Sequence, residues 1–259
     1  MIRVLVSGAA GRVGREVVRA VTAEHDMQLV AAVDPAHAGD PACAGSDLTI
    51  TGDLAIAIAE AGPDVVVDFT HPSVVAGNIA TTLVAGVHCV VGTTGLAQQT
   101  LEELASAAPE GVCLFVAPNF AIGAVLMMRF AADAARLLPH AEIIELHHDR
   151  KADAPSGTAL RTAALIAQAR TEAPGIPGVE TESASGARGA VVDGIAVHSV
   201  RLPGLVAHHE VLFGGQGQTL TIRHDSIDRT SFMPGVILAI RETVKRSGLI
   251  VGLERYLDS

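Results

Sequence analysis

The chain has 259 residues, 49% of them hydrophobic and 18% charged, with a mean hydropathy of +0.40. That apolar content suffices for a large core and excludes global disorder. A net charge of −10, 3% aromatic content, no Trp and one tyrosine (Tyr256) argue against a nucleic-acid surface or an anionic membrane as partner, leaving a local basic pocket open.

In chain order, short Val-, Leu- and Ile-rich runs at 2–7, 27–34, 64–70, 88–92 and 112–117 predict strands buried on both faces, each bounded by Gly, Pro or Asp. Helical patterns at 12–24, 54–61, 73–85 and 97–107 lie between them. This rhythm predicts an α/β fold with a Rossmann-like doubly wound parallel sheet. The second half reads as α+β: a helix at 123–138, a strand at 142–148, and a helix ending near 169. The Pro-, Gly-, Ser- and Thr-rich stretch 171–190 reads as an exposed loop. Alternating stretches follow at 195–202, 208–213 and 218–224, the last two flanking a hairpin signal, Gly214-Gly215-Gln216-Gly217. A helix at 231–246 follows these strands and is expected to return to the first domain. The predicted division is 1–119 with 229–259 enclosing 120–228.

The three cysteines, Cys43, Cys89 and Cys113, form no CxxC pair and support neither a disulfide framework nor a cysteine zinc site. No uncharged apolar run reaches the roughly 18 residues of a membrane span, and the N-terminus does not read as a signal peptide. The expectation is a soluble cytoplasmic protein.

The first strand runs into Gly8-Ala9-Ala10-Gly11-Arg12-Val13-Gly14, a GxxGxxG turn that opens a helix. Glycines let the backbone approach a pyrophosphate, and the helix N-terminus offers free N–H donors. Asp34 closes the second strand, where an acid accepts hydrogen bonds from an adenosine ribose. The competing reading is a glycine turn that serves strand–helix packing alone. Arg12 suits a 2′-phosphate whereas Asp34 favours a free 2′-hydroxyl, so use of both NADH and NADPH is expected; Arg12 reads equally as a solvated charge. Two later loops at strand carboxyl ends, Gly92-Thr93-Thr94-Gly95 and Ala117-Pro118-Asn119-Phe120, suit the nicotinamide side, or ordinary turns.

The densest polar constellation runs from Glu145 to Thr158 and holds His147, His148, Lys151, Asp153, Ser156 and Gly157. Ser156 reads as an N-cap, which turns the N–H groups of Gly157 and Thr158 outward to bind a carboxylate. His147 or His148 can exchange protons near neutral pH. The chain has 16 Arg but two Lys, Lys151 and Lys245. A lysine inside the histidine cluster suggests a task that Arg cannot perform, releasing a proton or presenting a compact ammonium; chance placement is the alternative. Zinc is the rival reading of the histidines. No HExxH is present, and His147 and His148 as strand neighbours point to opposite faces, so no metal is expected. His208 and His209 read as polar strand residues. No Tyr-x-x-x-Lys pair exists, which excludes a short-chain dehydrogenase.

GAAGRVG, VDFTHP, VVGTTG, APNFAIGA, ELHHDRKADAPSGTA and TIRHDSIDRTSFMPGV together resemble the 4-hydroxy-tetrahydrodipicolinate reductase (dihydrodipicolinate reductase) family, from Met1 to about Gly252. The resemblance implies a cytoplasmic homotetramer of the diaminopimelate route to lysine that reduces a cyclic dicarboxylate with NADH or NADPH. It implies a dinucleotide-binding domain at 1–119 with 229–259, and a substrate-binding and oligomerisation domain at 120–228. Gly8, Ala9, Ala10, Gly11, Arg12 and Val13 would hold the pyrophosphate and Asp34 the ribose. Gly92, Thr93, Thr94, Ala117, Pro118, Asn119 and Phe120 would lie on the nicotinamide side. His147 resembles a proton donor/acceptor and Lys151 a proton donor, with His148, Gly157 and Thr158 as substrate-carboxylate contacts. Two other readings remain at this stage: a reductase of another small acid, and a regulator that binds NAD(P)H without catalysis.

Overall fold

The computed structural model describes residues 1–45, 47–172, 174 and 181–257, which form two units. The first comprises Met1–Phe120 and Arg229–Ser259. Its seven-stranded sheet runs in the order Gly248–Val251, β6 (Cys113–Val116), β5 (His88–Val91), β4 (Val65–Asp68), β1 (Ile2–Ser7), β2 (Met27–Val33), β3 (Ile50–Thr51), and every pairing is parallel. The strand order reverses between β1 and β4. In such sheets ligands bind outside the carboxyl ends at that point. The central strands are wholly buried, as their unbroken apolar runs require.

Helix α1 (Gly14–Ala23) buries Val17, Val18 and Val21. It starts two residues later than predicted, because residues 11–13 are spent in the glycine turn. Helices α2 (Leu54–Ala61), α3 (Pro72–Val84) and α4 (Gln98–Ser106) follow. Strand β2 ends at Val33 rather than 34, since Asp34 leaves the sheet to cap a short turn through the Ala36 N–H. The C-terminal helix spans Met233–Thr243, inside the predicted 231–246; Pro234 in its first turn sets the start. Its Arg241 grips both oxygens of Asp26 at 2.8 Å, fastening this late helix beside α1. Strand β3, with two residues, is too short to register as an element in the sequence, and Gly248–Val251 is not among the predicted strands.

The second unit, Ala121–Asp228, pairs a five-stranded mixed sheet with helices α5 (Ile122–Ala135) and α6 (Gly157–Ala169). Its strands are β7 (His140–His147), β8 (Ala190–Val192), β9 (Ile195–Arg201), β10 (Ala207–Gly215) and β11 (Gln218–Ser226), in the order β11-β10-β7-β9-β8. Strands β7 and β9 are parallel; the other pairings are antiparallel. Ile143, Val197, Val211 and Phe213 are buried on one face, with Ala131, Ala163 and Ile166 of the helices. Helix α5 stops at 135, not 138, because Pro139 disfavours helix in the residue before it. Strand β8 begins at the last residue of the predicted loop 171–190 and is not among the predicted strands. Its hairpin to β9 turns on Asp193-Gly194, both at positive φ, the dipeptide such turns demand. Of the predicted loop 171–190, residues 173 and 175–180 lie outside the described residues, while 181–189 are exposed. Among the described residues, no helix is long and apolar enough to cross a membrane.

Candidate active site

The glycine turn lies at the carboxyl end of β1. Gly8 adopts φ +77°, and a Cβ there would stand 2.6 Å from the Phe69 carbonyl oxygen. A Cβ on Gly14 would stand 1.9 Å from the Gly8 oxygen. The motif therefore meets its packing demand, and the same closeness leaves bare backbone at the loop. Gly8 and Ala9 donate to the Val33 carbonyl, and Gly11 donates back to Gly8. The N–H groups of Arg12 and Val13 have no partner among the described residues, and Val13 gives α1 no side-chain cap. Free donors at a helix start fit a pyrophosphate. Ala10 donates to the Asp34 carboxylate at 3.2 Å, which holds that acid at the tip of β2 beside the turn. Arg12 is exposed and makes no ion pair among the described residues.

The loops after β5 and β6 hold the nicotinamide-side candidates. Gly92 has no room for a Cβ, which would fall 2.1 Å from the Phe69 ring. Thr93 is buried and donates to Asp68, while Thr94 and Pro118 are exposed and Asn119 is half-buried. Ala117 is buried, its N–H bonded to Val91. Phe120 packs its ring on Phe69 and Phe115, so the ring belongs to the core and only its main chain remains for a ligand. Sequence reasoning missed Asp68. Its fully buried carboxylate accepts from Thr70 N–H and Oγ1 (3.1 and 2.7 Å), Asn78 Nδ2 (2.8 Å) and Thr93 Oγ1 (3.2 Å). One acid thus ties the ends of β4 and β5 to α3.

In the second unit, Glu145 and His147 share the helix-covered face of β7, because side chains two apart lie on one side. His147 Nδ1 is hydrogen-bonded to the Glu145 carboxylate. Arg201 donates from both terminal nitrogens to Glu145, at 2.7 and 2.9 Å. Burial pushes the Glu145 carboxyl pKa up, but hydrogen bonds from Arg201, Ser199 and His147 outweigh it and hold the value below the usual range. Burial pushes the His147 imidazole below its ordinary value. Glu145 opposes that, while the cations Lys151 and Arg201 add to it. His147 is therefore neutral near pH 7.

His148 is not a strand residue as predicted. Strand β7 ends at His147, and His148 opens a turn closed by the Lys151 N–H. Lys151 Nζ bonds both oxygens of Asp153. Ser156 caps α6 by accepting from Ala159, so Gly157 and Thr158 form its first turn, as predicted. His208 pairs with Asp225, and His209 is buried opposite Glu145, its pKa pushed down by burial to about 4. Among the described residues, three buried side-chain nitrogens lack a hydrogen-bond partner: His148 Nδ1, Arg201 Nε and His209 Nε2. Unpaired buried nitrogens on residues of this one sheet end suit a polar ligand. The one acid and histidine group of metal-binding spacing among the described residues is Glu24, His25 and Asp26, where Arg241 already holds both carboxylates.

Two family models match the chain: Dihydrodipicolinate reductase, N-terminus, over residues 2–120, and Dihydrodipicolinate reductase, C-terminus, over residues 123–257. The chain belongs to the dihydrodipicolinate reductase family. It is an oxidoreductase dependent on a pyridine nucleotide, built on a Rossmann-like fold. It is similar to the 4-hydroxy-tetrahydrodipicolinate reductases of Nocardia farcinica, 55% identical with 99% of both chains covered, and Desulfitobacterium hafniense, 51% identical at the same coverage. Among solved structures it is similar to a dipicolinate-bound dihydrodipicolinate reductase from Paenisporosarcina sp. TG-14. That likeness has a TM-score of 0.88 and 45% identity, over 98% of this chain and 99% of the other. In the second unit of this family member, Arg201 is the side chain whose place beside Glu145 no quoted motif announced.

Proposed function

We propose that this chain reduces 4-hydroxy-tetrahydrodipicolinate to tetrahydrodipicolinate, in lysine biosynthesis by way of diaminopimelate, with NADH or NADPH. The observation that carries the reading is the turn at the end of β7, where the Lys151 N–H bonds the His148 carbonyl next to His147, followed in the chain by the Ser156-capped start of α6. When bound, the reduced nicotinamide supplies the hydride. Loss of the substrate's 4-hydroxyl as water leaves a conjugated ring imine, and hydride arrival at C4 pushes electron density toward the ring nitrogen and C3. The Lys151 ammonium stabilises that charge and delivers a proton, and His147 exchanges protons beside it. The N–H groups of Gly157 and Thr158, with His148, receive a carboxylate. The residues of the glycine turn hold the pyrophosphate, Asp34 the ribose, and the loops at 92–94 and 117–120 the nicotinamide side.

The protein works in the cytoplasm as a homotetramer. Ile144, Leu146 and Leu212, on the sheet face of the second unit opposite Ile143 and Val211, are only half-buried and offer an apolar surface to another copy. Steady-state oxidation of NADH and NADPH with freshly made substrate tests the reaction; no turnover with either would refute it. Sedimentation tests the assembly, and an active monomer would overturn it.

A further inference from the structure

We infer that Arg201 is the positioning residue of the site, holding the imidazole of His147 through Glu145 and the Lys151 segment through its main chain. The inference rests on the reading of His147 and Lys151 as the proton-handling pair.

Strand β9 lies parallel to β7 with Arg201 opposite His147 and Ser199 opposite Glu145. From there the guanidinium reaches four acceptors, one of them the neighbouring Val200 carbonyl at 2.7 Å. Its two terminal nitrogens take the two oxygens of Glu145, and one of them also donates to the Asp153 carbonyl at 2.8 Å. Asp153 in turn holds Lys151 Nζ with its carboxylate. One planar group thus spans both halves of the cluster, a task for which a lysine has neither the fork nor the reach.

The chemistry follows from Glu145. Its carboxylate is fully buried, and the guanidinium keeps it ionised and fixed in plane. An ionised acceptor at Nδ1 makes Nδ1 the protonated nitrogen of the neutral ring. Nε2 is then left as the atom that takes up or releases a proton. Without that acceptor both tautomers are open. The charged and titratable groups around His147 are Glu145 on its own strand, Arg201 from β9, His209 from β10, and Lys151 on the following turn.

The direct test is nitrogen-15 NMR of the histidine rings in the wild-type protein near neutral pH. The expected spectrum shows neutral His147 protonated at Nδ1; protonation at Nε2 overturns the inference without any variant. Arg201→Lys keeps the charge and loses the fork. It should lower kcat by about 10-fold to 100-fold with the KM for NADH unchanged. Glu145→Gln should lower kcat by about 10²-fold or more, as when a carboxylate that orients a catalytic histidine is replaced. It should also move the His147 limb of the pH–rate profile to lower pH, because the carboxylate raises that pKa. A purely structural role would lower melting temperature and leave the limb and the tautomer in place. Wild-type kcat in Arg201→Lys refutes the positioning role; absence of turnover in the wild type refutes the reaction instead.

Discussion

Lys151 Nζ lies 2.7 and 2.9 Å from the two carboxylate oxygens of Asp153, so the ammonium is aimed by a side chain two residues away. Lys151→Met should lower kcat by about 10²-fold or more with little effect on NADH binding. Lys151→Arg should fail as well, because a guanidinium hardly deprotonates. The control is Lys245→Arg, whose partner is the surface acid Glu242; steady-state kinetics should find it near silent. Near wild-type turnover by Lys151→Arg would reduce Lys151 to an electrostatic anchor.

Arg12 stands exposed in the glycine turn while Asp34 is fastened to the Ala10 N–H. Asp34 should favour NADH, and Arg12 should keep NADPH within about tenfold, or about 1.4 kcal/mol. Arg12→Ala should weaken NADPH selectively in a binding titration. Equal loss for both cofactors would show that Arg12 does not read the 2′-phosphate.

Asp68 accepts hydrogen bonds from Thr70, Asn78 and Thr93 in a fully buried site. Asp68→Ala leaves those donors unpaired and should cost about 3 kcal/mol of stability, read by denaturant unfolding. The KM for NADH should rise with it, since Thr93 sits in the loop assigned to the nicotinamide side. A variant with wild-type stability and KM would refute the linkage.

His209 carries a pH dependence of folding. Its pKa is pushed down to about 4 in the native protein, against an ordinary 6.5. Below the ordinary value the unfolded chain takes up a proton that the folded one does not, so stability falls with pH from about 6.5 toward about 4. By about pH 5 the loss from this residue is about 2 kcal/mol. His209→Gln should flatten that slope in thermal unfolding at pH near 7 and near 5; an unchanged slope would assign it elsewhere.

What the amino-acid sequence determined by itself were the features written in neighbouring residues. The parallel sheet shows as unbroken apolar runs, because strands covered on both faces need no polar alternation. The glycine turn is legible because Gly11 and Gly14 answer close contacts with the Gly8 backbone a few residues away, though the contact that Gly8 itself answers, the Phe69 carbonyl, is remote in sequence. The cluster from Glu145 to Thr158 is contiguous, so its chemistry could be read before its geometry. Tertiary structure alone decided the rest. Arg201 is separated from Glu145 by 56 positions, and only the parallel pairing of β9 with β7 brings a guanidinium to that carboxylate. Asp68 reads locally as the end of an apolar strand, and its partners Asn78 and Thr93 arrive from a helix and another loop. His148 departs from the strand because the Lys151 N–H closes a turn on its carbonyl. Local propensity sets the elements, but a buried carboxylate must be satisfied by whatever donors the packed sheet brings to it, and that demand has no local signature.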